Sequence, residues 1–540
     1  MIRAPGPRWQ AALMVVCCLA LVLFWMLPAI LAGYPPFLPG IEMARDFSET
    51  GMFSANIARL MTLFLSAMHA AGIGWRDSMG WTWLNASLMS ASVVAFWLLV
   101  RRLFGAGTAW VATLIYALMP MYWLEAVKMD GYALGLLLTF LSALVFLTLS
   151  KRHFWVAVIL SGLLLGFAVS ARDALVTFVP WVCLTFLWIY RRSWKKGVLA
   201  AFLFGSLSVA GYLSPLLVPV LNADGGLRER TSLFLSSIGT RDAGLNHLYP
   251  DDYTYEFNRA DYDAMLRQKA ASGSFLDRRN NESYRLLFGV EPATSLARLK
   301  AGLWVFLNQF PSLIFPQTVG GAFLWLFIIP GIVVLWRRHR PLMLFYLGMI
   351  LWMELVVRFA LLYTRSHLMD VGWGLAIFAG AGVMAVAPVL QREWKRWSTG
   401  ALVALLTAII ALQLVQANRK EFATYYVKSP VLETYAATAA LDVLPLGAVV
   451  AHPNRWTLFT FKGYKNAAMI HADTIARLAP QGKIAEPFEY YKVSHLIGYT
   501  DEDIALIKKA LPNLQVVKYE VNSSAVKVTP LLQYHLHLFR

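Results

Sequence analysis

Cysteine and charge are both scarce in this chain. The sequence holds 3 cysteines, Cys17, Cys18 and Cys183, and each lies inside an apolar run, so they suggest neither a disulfide pattern nor a metal-ligand spacing. Charged residues make up only 15% of the 540 residues, whereas 58% are hydrophobic. This composition excludes an ordinary soluble globular protein.

Acidic residues are scarcer than basic ones. The chain has 31 Asp and Glu against 48 Lys and Arg, which gives a net charge of +17 at pH 7. In a soluble protein this excess would indicate a nucleic-acid partner. Here the basic residues cluster between apolar runs, where they mark the cytoplasmic ends of membrane spans. We therefore predict an integral membrane protein with no nucleic-acid partner.

Long apolar runs indicate a polytopic α-helical membrane protein, because a helix needs about 20 apolar residues to cross the hydrocarbon core. We predict about eleven spans. Basic pairs such as Arg101 with Arg102 recur at alternate junctions, which places these junctions and the amino terminus in the cytoplasm and the carboxyl terminus outside. The predicted spans are 11–33, 81–100, 106–124, 132–150, 154–171, 174–190, 197–220, 321–336, 341–362, 371–390 and 398–417.

The first apolar run has an alternative interpretation. Arg3 and Arg8 precede it and small residues from Ala29 to Gly33 end it, as in a secretory signal peptide. Removal of residues 1–33 would break the alternation of basic and acidic junctions. We therefore keep this run as a span.

Two polar segments are predicted on the outer side, within a transmembrane domain over 1–417. The first, 34–80, contains an amphipathic helical pattern from Phe53 to Ala71, which is predicted to lie along the membrane interface. The second, 222–320, is too long and too polar for a simple connection. Both are predicted to be organised parts of the outer surface.

The composition changes to that of a soluble domain at about residue 418. The remainder, 418–540, is predicted to be an extracytoplasmic α/β domain. Its predicted helices are 432–444, 473–478 and 501–511, and its predicted strands are 448–451, 495–499, 515–521 and 534–539.

Asp46 is the acid that stands out in the first outer segment. With Glu49 three positions later it matches an amino-terminal capping box, which would start the helix that leads into Phe53. The functional interpretation is a carboxylate that accepts a proton from a nucleophile, which requires an acid beside the reacting group. Spacing alone leaves both interpretations open.

The order of motifs resembles the GT-C glycosyltransferases, in particular the branch of the protein O-mannosyltransferases and the lipid A aminoarabinose transferases. The resemblance covers about 11–420. In that family an Asp lies shortly after the first span and an aromatic follows, as Asp46 and Phe53 do, although Arg45 stands here where the paired-acid form has a second acid. The stretch 128–134, Lys-Met-Asp-Gly-Tyr-Ala-Leu, and Arg172 at the end of a glycine-containing span continue the pattern in order.

This resemblance implies a polyprenyl-phosphate-sugar donor and a lipid, glycan or protein acceptor, with membrane lipid around the site. It implies that the chain is an enzyme, with Asp46 as general base and Asp130 as a second acid that orients sugar or acceptor. The cations predicted to bind phosphate are Lys128, Arg172 and Arg365, and the residues predicted to contact substrate are Glu49 and Tyr363.

The resemblance names no certain cofactor and leaves a divalent metal open. Together with the lack of eukaryotic targeting signals it favours a bacterial inner membrane, with the carboxyl-terminal domain in the periplasm. Two other functions stay open. One is a transporter or flippase of a lipid-linked or amphipathic substrate, whose intramembrane charges would line a path. The other is a lipid-linked oligosaccharide ligase, whose chemistry would rest on the loop 222–300.

Overall fold

The structure is a computed structural model of the full chain. It describes residues 8–32, 41, 44, 47–48, 58–74, 77–129, 131–222, 321–360, 369–427, 450–452, 467–470, 475–476, 478–490, 493–497, 499–512 and 536–538.

A bundle of apolar helices forms most of the described chain. Residues such as Leu19 and Phe202 expose 61% and 70% of their surface, which suits contact with lipid. The helices are α1 (Arg8–Ala32), α2 (Arg59–Ala70), α3 (Ser78–Phe104), α4 (Ala106–Leu118), α5 (Pro120–Val127), α6 (Tyr132–Leu149), α7 (Phe154–Ala171), α8 (Phe178–Ile189), α9 (Trp194–Leu213), α10 (Leu217–Asn222), α11 (Trp325–Arg338), α12 (Arg340–Ala360), α13 (Met369–Glu393) and α14 (Thr399–Val427).

The predicted membrane class is confirmed. Within the described ranges, 7 helices are long and apolar enough to cross a membrane, or 8 if the bent pair α4 and α5 forms one span. Every predicted span overlaps helical residues. Those at 174–190 and 341–362 overlap the shorter apolar segments Ala174–Ile189 and Arg340–Trp352, the latter the first part of α12, and the span at 321–336 overlaps α11, which has 14 residues. The figure of about eleven spans stays a prediction.

Small residues let the helices approach closely. A Cβ at Gly166 of α7 would meet the Ser208 carbonyl oxygen of α9, and one at Gly331 of α11 would meet the Phe378 carbonyl oxygen of α13. Close backbone contact supplies the dispersion energy that holds helices together in lipid, where no hydrophobic effect drives them together. The glycines therefore fix these two helix pairs.

The helix pair α4 and α5 bends by 63° at Met119. Pro120, the first residue of α5, has no N–H and cannot continue the hydrogen-bond ladder of α4. The Leu118 carbonyl oxygen instead accepts a hydrogen bond from Nδ2 of Asn418 on α14, at 2.6 Å. A carbonyl left unpaired inside the membrane would cost several kcal/mol, so this contact stabilises the bend.

The bundle has two ends of different chemistry, about 27 Å apart along the 18 residues of α6. At one end Arg102 of α3 donates to the Leu147 carbonyl oxygen of α6 at 2.8 Å, and Phe104 packs edge-on against His339, which precedes α12, at 5.8 Å. We call this end, with the basic residues of 101–102, 151–152, 191–196 and 337–340, the basic face. The opposite end, where Asp77, Lys128 and Arg172 lie, is the site face.

The carboxyl-terminal part contains a four-stranded sheet of β1 (Val450–His452), β2 (Ala467–Met469), β3 (His495–Ile497) and β4 (Leu536–Leu538), in the order β2-β1-β3-β4. β1 pairs parallel with β2 and β3, and β4 is antiparallel to β3. Helices α15 (Ala485–Tyr490) and α16 (Asp501–Ala510) accompany it, and Phe488, Leu496 and Ile507 share its buried core.

Three predicted strands and one predicted helix have counterparts among these elements, and residues 475, 476 and 478 of the predicted helix 473–478 are also helical. β1, β3, β4 and α16 lie at the predicted positions 448–451, 495–499, 534–539 and 501–511. α16 begins with a capping box between Thr500 and Asp503. β2 and α15 were not predicted, and the predicted elements 432–444 and 515–521 lie outside the described residues.

Candidate functional site

Three turns meet on the site face. Gly131, between α5 and α6, has a φ of +94°, and a Cβ there would overlap the carbonyl oxygen of Ala171 at the end of α7. The same Cβ would lie 3.4 Å from the Cβ of Ala58, just before α2. Glycine is the residue that adopts this backbone and leaves this space. The turns that carry Arg59, Lys128 and Arg172 are therefore in direct contact.

Asn85 of α3 fixes the first of these cations. The amide is fully buried, and its Nδ2 donates to the carbonyl oxygens of Glu125 at 2.8 Å, Ala126 at 3.0 Å and Lys128 at 3.0 Å. The last carbonyls of a helix have no partner within it, so one amide group here stabilises the whole end of α5. The backbone of Lys128 is thereby tied to α3.

Lys128 forms an ion pair with Glu125 one turn earlier. Its Nζ lies 3.6 Å from Oε1 of Glu125, and the two side chains are 19% and 2% exposed. A buried carboxylate is costly without a cation beside it. Glu125 therefore restrains the ammonium of Lys128 at the boundary of the bundle.

Arg172 follows α7 in an extended conformation and is half-buried. Its Cζ lies 4.4 Å from the centroid of the Tyr132 ring, at the start of α6. A guanidinium over an aromatic face is attracted by the ring quadrupole, and the contact holds its planar group in one orientation. A planar group fixed in this way is prepared to bind two oxygens of a phosphate.

Arg59 is a cation that the sequence analysis missed. It is the first residue of α2 and only 2% exposed, and its Cζ lies 5.1 Å from the centroid of the Tyr212 ring on α9. In the part of the chain that the structure describes, its Nε and Nη1 are buried without a hydrogen-bond acceptor. A buried charge normally has a partner, because the cost of desolvation is several kcal/mol. The guanidinium is thus suited to an anion that enters from outside the protein.

The sequence does contain a feature that distinguishes Arg59 as a candidate site residue. Arg59 is the only Lys or Arg in the pattern from Phe53 to Ala71, which was predicted to lie along the interface. Helix α2 instead contributes Met61 and Leu65 to a buried cluster. A lone cation at the start of an apolar helix is as unusual as one inside a span, where it marks a functional site by default.

Most other predicted site residues lie outside the described ranges, namely Asp46, Glu49, Asp130, Tyr363 and Arg365. Some of their sequence neighbours are described. Ala44 belongs to the same buried cluster as Ala58, Met129 and Ala171, and its carbonyl oxygen accepts a hydrogen bond from Oγ of Ser66 at 3.0 Å. The chain segments around Asp46, Lys128 and Arg172 therefore share one cluster.

The acids of the described residues form no group of three or more with His or Cys that could hold a metal ion. The predicted acids Asp46 and Asp130 are not among the residues described. The divalent metal that the family resemblance leaves open is therefore still an open question.

Known structures share this architecture over nearly the whole chain, although no protein-family model and no curated protein matches the sequence. ArnT from Cupriavidus metallidurans bound to undecaprenyl phosphate aligns with a TM-score of 0.50 and 13% identity, covering 99% of both chains. The apo state of the same protein gives a TM-score of 0.51 and 12% identity over 99% of this chain and 98% of that one. The apo oligosaccharyltransferase of Archaeoglobus fulgidus gives 0.52 and 12% identity over 95% of this chain and 73% of that one.

This chain has the GT-C fold. The fold class and the membrane setting predicted from the sequence are confirmed by these likenesses and by the apolar helices. At identities this low the likeness carries the fold alone, and the chemistry has to be argued from the site.

Proposed function

We propose that the chain is a membrane glycosyltransferase that moves a sugar from a polyprenyl-phosphate donor to an acceptor on the site face. One observation carries the proposal. Arg59, Lys128 and Arg172 stand on three turns in mutual contact, and the guanidinium of Arg59 is buried without an acceptor among the described residues. The likeness to ArnT bound to undecaprenyl phosphate supports the choice of donor.

The three cations suit the leaving group of this reaction. A polyprenyl phosphate keeps its chain in lipid and its anionic head at the membrane boundary, which is where Lys128 and Arg172 lie. Arginine fits two phosphate oxygens in one plane and lysine acts as a point charge. The charge of Arg59 acts in a site with little water, so its stabilisation of a developing anion exceeds that of an exposed cation.

The transfer itself joins the acceptor to the anomeric carbon of the sugar. The acceptor hydroxyl or amine attacks this carbon, the bond to the phosphate oxygen breaks, and the electron pair leaves with the polyprenyl phosphate. We assign Asp46 as the general base that takes the acceptor proton. Asp130 would orient sugar or acceptor, Glu49 and Tyr363 would contact substrate, and Arg365 would add a fourth cation.

The setting we propose is a bacterial inner membrane with the site face toward the periplasm. The amino terminus would be cytoplasmic, as the basic residues on the basic face suggest. The part from about 418 to 540 would form a periplasmic domain that helps to bind acceptor or to cover the site.

The test is sugar release or transfer from a panel of undecaprenyl-phosphate sugars by the purified protein in liposomes. Wild type is compared with Asp46→Asn, and Asp77→Asn serves as a matched control because Asp77 is an exposed helix cap on the same face. We expect turnover in wild type and the control and a loss of about a hundredfold or more in Asp46→Asn.

Two results would contradict this assignment. Equal turnover in Asp46→Asn would show that another group takes the proton. Movement of a lipid-linked substrate across the bilayer, without release of sugar from any donor, would favour the transporter instead.

A further inference from the structure

An apolar groove of about 370 Å³ lies between helices α3, α6, α8 and α12. Leu103, Leu147, Ile189 and Pro341 line it at one end, and each lies within two residues of the end of its helix on the basic face. Phe140, Met349 and Trp373 line it at the other end. The groove therefore runs from its mouth at the basic face through the bundle as far as Phe178, the first residue of α8.

The length of the groove suits a hydrocarbon chain of one leaflet. From Pro341 to Met349 the wall follows α12 for eight residues, which is about 12 Å. Half of the hydrocarbon core of a bilayer is about 15 Å thick. Along α8 the wall runs for eleven residues, from Phe178 to Ile189, which is about 16 Å, so an acyl chain that enters at the basic face would fill the groove.

Three hydroxyls in the wall are already used by hydrogen bonds within the bundle. Thr139 donates to the Gly135 carbonyl oxygen at 2.9 Å, and Thr185 donates to that of Trp181 at 2.8 Å. Ser142 donates to the Ser161 carbonyl oxygen at 2.7 Å. These three hydroxyl protons are used within the bundle. Nε1 of Trp373 is a buried donor without a hydrogen-bond partner among the described residues, and the rest of the wall offers mainly aliphatic and aromatic contact. Its chemistry fits a saturated or singly unsaturated chain rather than a polar molecule.

The mouth of the groove is strongly basic. The four chain segments that reach it, 99–104, 145–153, 187–196 and 336–342, contain eleven Lys and Arg and no Asp or Glu. Arg340 stacks on Trp336 at 4.8 Å, beside the lining residue Pro341. Basic residues at a membrane surface attract anionic lipid, with about 1 kcal/mol for each residue.

We propose that this groove binds one acyl chain of an anionic phospholipid of the leaflet at the basic face, with the headgroup held by cations such as Arg340 and Arg191. The mouth of this lipid site lies at the opposite end of the bundle from the proposed sugar-transfer site, and the proposal does not depend on that site. The occupant of the groove is a structural or regulatory lipid and undergoes no covalent change.

The experiment uses the full chain in nanodiscs that contain phosphatidylglycerol or phosphatidylcholine with a photoactivatable diazirine on the acyl chain. Labelled peptides are mapped by mass spectrometry. We expect phosphatidylglycerol to label the lining residues of α6, α8 and α12 about tenfold more than phosphatidylcholine does.

Two sets of variants separate the chain from the headgroup. Thr185→Trp fills the groove and should abolish this labelling, with Val182→Phe as a milder change of the same wall. Leu184→Trp is the control, because Leu184 lies on the same helix, is 48% exposed and does not line the groove. Arg340→Gln with Arg191→Gln should reduce the preference for phosphatidylglycerol, and Arg396→Gln, in the turn between α13 and α14, should leave it unchanged.

Three outcomes would overturn the proposal. In the first, the groove is labelled equally in Val182→Phe and Leu184→Trp. In the second, both phospholipids label the wild-type groove equally. In the third, unlabelled undecaprenyl phosphate protects the groove from labelling by phosphatidylglycerol. The last would assign the groove to the chain of that lipid.

Discussion

The guanidinium of Arg59 lies 5.1 Å from the ring of Tyr212, and this contact brings the start of α2 against the end of α9. Arg59 is buried and Tyr212 half-buried, and Nε and Nη1 of Arg59 have no hydrogen-bond acceptor among the residues described. We therefore expect Arg59→Met to stabilise the ligand-free protein by about 1–4 kcal/mol, because an apolar side chain of similar length avoids the desolvation cost. Unfolding by denaturant in mixed micelles measures this change.

The same substitution should weaken binding of undecaprenyl phosphate. A hydrogen bond to a charged group contributes about 1.5–3 kcal/mol, so the dissociation constant should rise roughly tenfold to hundredfold. Arg101→Met is the control, because Arg101 stacks on Trp97 at 4.9 Å on the basic face. If both variants bind the lipid as wild type does, Arg59 is not a phosphate ligand.

Asn85 should matter for both stability and binding. Asn85→Ala removes the donor from three carbonyl oxygens, and we expect a loss of about 2–4 kcal/mol in the free energy of unfolding. Because the released turn carries Lys128, affinity for undecaprenyl phosphate should fall as well. Unfolding in mixed micelles and lipid binding are measured on the same preparation.

Asn418 provides the comparison for Asn85, since it is also fully buried and donates to the carbonyl oxygens of Leu118 and Leu414. Asn418→Ala should lower stability by a similar amount and change lipid affinity less. An equal fall in affinity for the two variants would show that general unfolding, rather than the position of Lys128, controls binding.

Alanine substitutions at Gly131 and Gly105 distinguish the cost of steric overlap from the cost of backbone strain. Both have positive φ, at +94° and +91°, so alanine at either position costs about 1–3 kcal/mol. A Cβ at Gly105 meets nothing within 4 Å, whereas one at Gly131 would overlap the Ala171 carbonyl oxygen. We expect Gly131→Ala to cost about 1–3 kcal/mol more than Gly105→Ala, as overpacking does.

Donor turnover gives a second measurement for this pair. Gly131→Ala pushes apart the turns that carry Lys128 and Arg172, and turnover should fall about tenfold or more. Gly105→Ala lies on the basic face and should keep wild-type turnover. A wild-type rate in Gly131→Ala would show that the contact between these turns is not needed for the reaction.

His495 should make the carboxyl-terminal sheet sensitive to acid. Burial lowers the pKa of this imidazole below its ordinary value of 6.5, because β3 shields it from water. The unfolded chain therefore binds a proton that the folded sheet does not. The stabilisation is complete above about pH 6.5 and is lost as the pH falls through the lower pKa of the folded state.

Hydrogen exchange of the β3 amides at about pH 7.5 and pH 5.5, corrected for intrinsic rates, tests this expectation. Wild type should lose protection at the lower pH, and His495→Gln should lose less. The prediction is wrong if both proteins show the same change.

The helices could be predicted from the sequence because their signals are local. The length of each apolar run and the basic pair beside it predict each span separately. Pro120 alone predicts where α4 ends. Two features could not be predicted in this way. The burial of Arg59 depends on α2 packing against α7 and α9, and strand β2, Ala467–Met469, has no β-branched or aromatic residue to indicate it.

The ion pair of Lys128 likewise could not be predicted from local sequence signals alone. Lys128 has acids at two spacings in the sequence, Glu125 three residues before it and Asp130 two residues after it. Residues three apart meet on a helix, and α5 extends far enough to bring Glu125 to Lys128. The end of α5, which Asn85 stabilises from 40 residues away, has to be known before the ion pair with Glu125 can be predicted.

The hydrogen bond from Asn418 to Leu118 sets a lower limit on how far this protein can be shortened from its carboxyl end. A chain cut before residue 418 would leave the bend between α4 and α5 with a bare carbonyl oxygen in hydrocarbon, 300 residues upstream of the cut. A shortened protein for crystallography or for display should therefore keep all of α14, and preferably end after Val427.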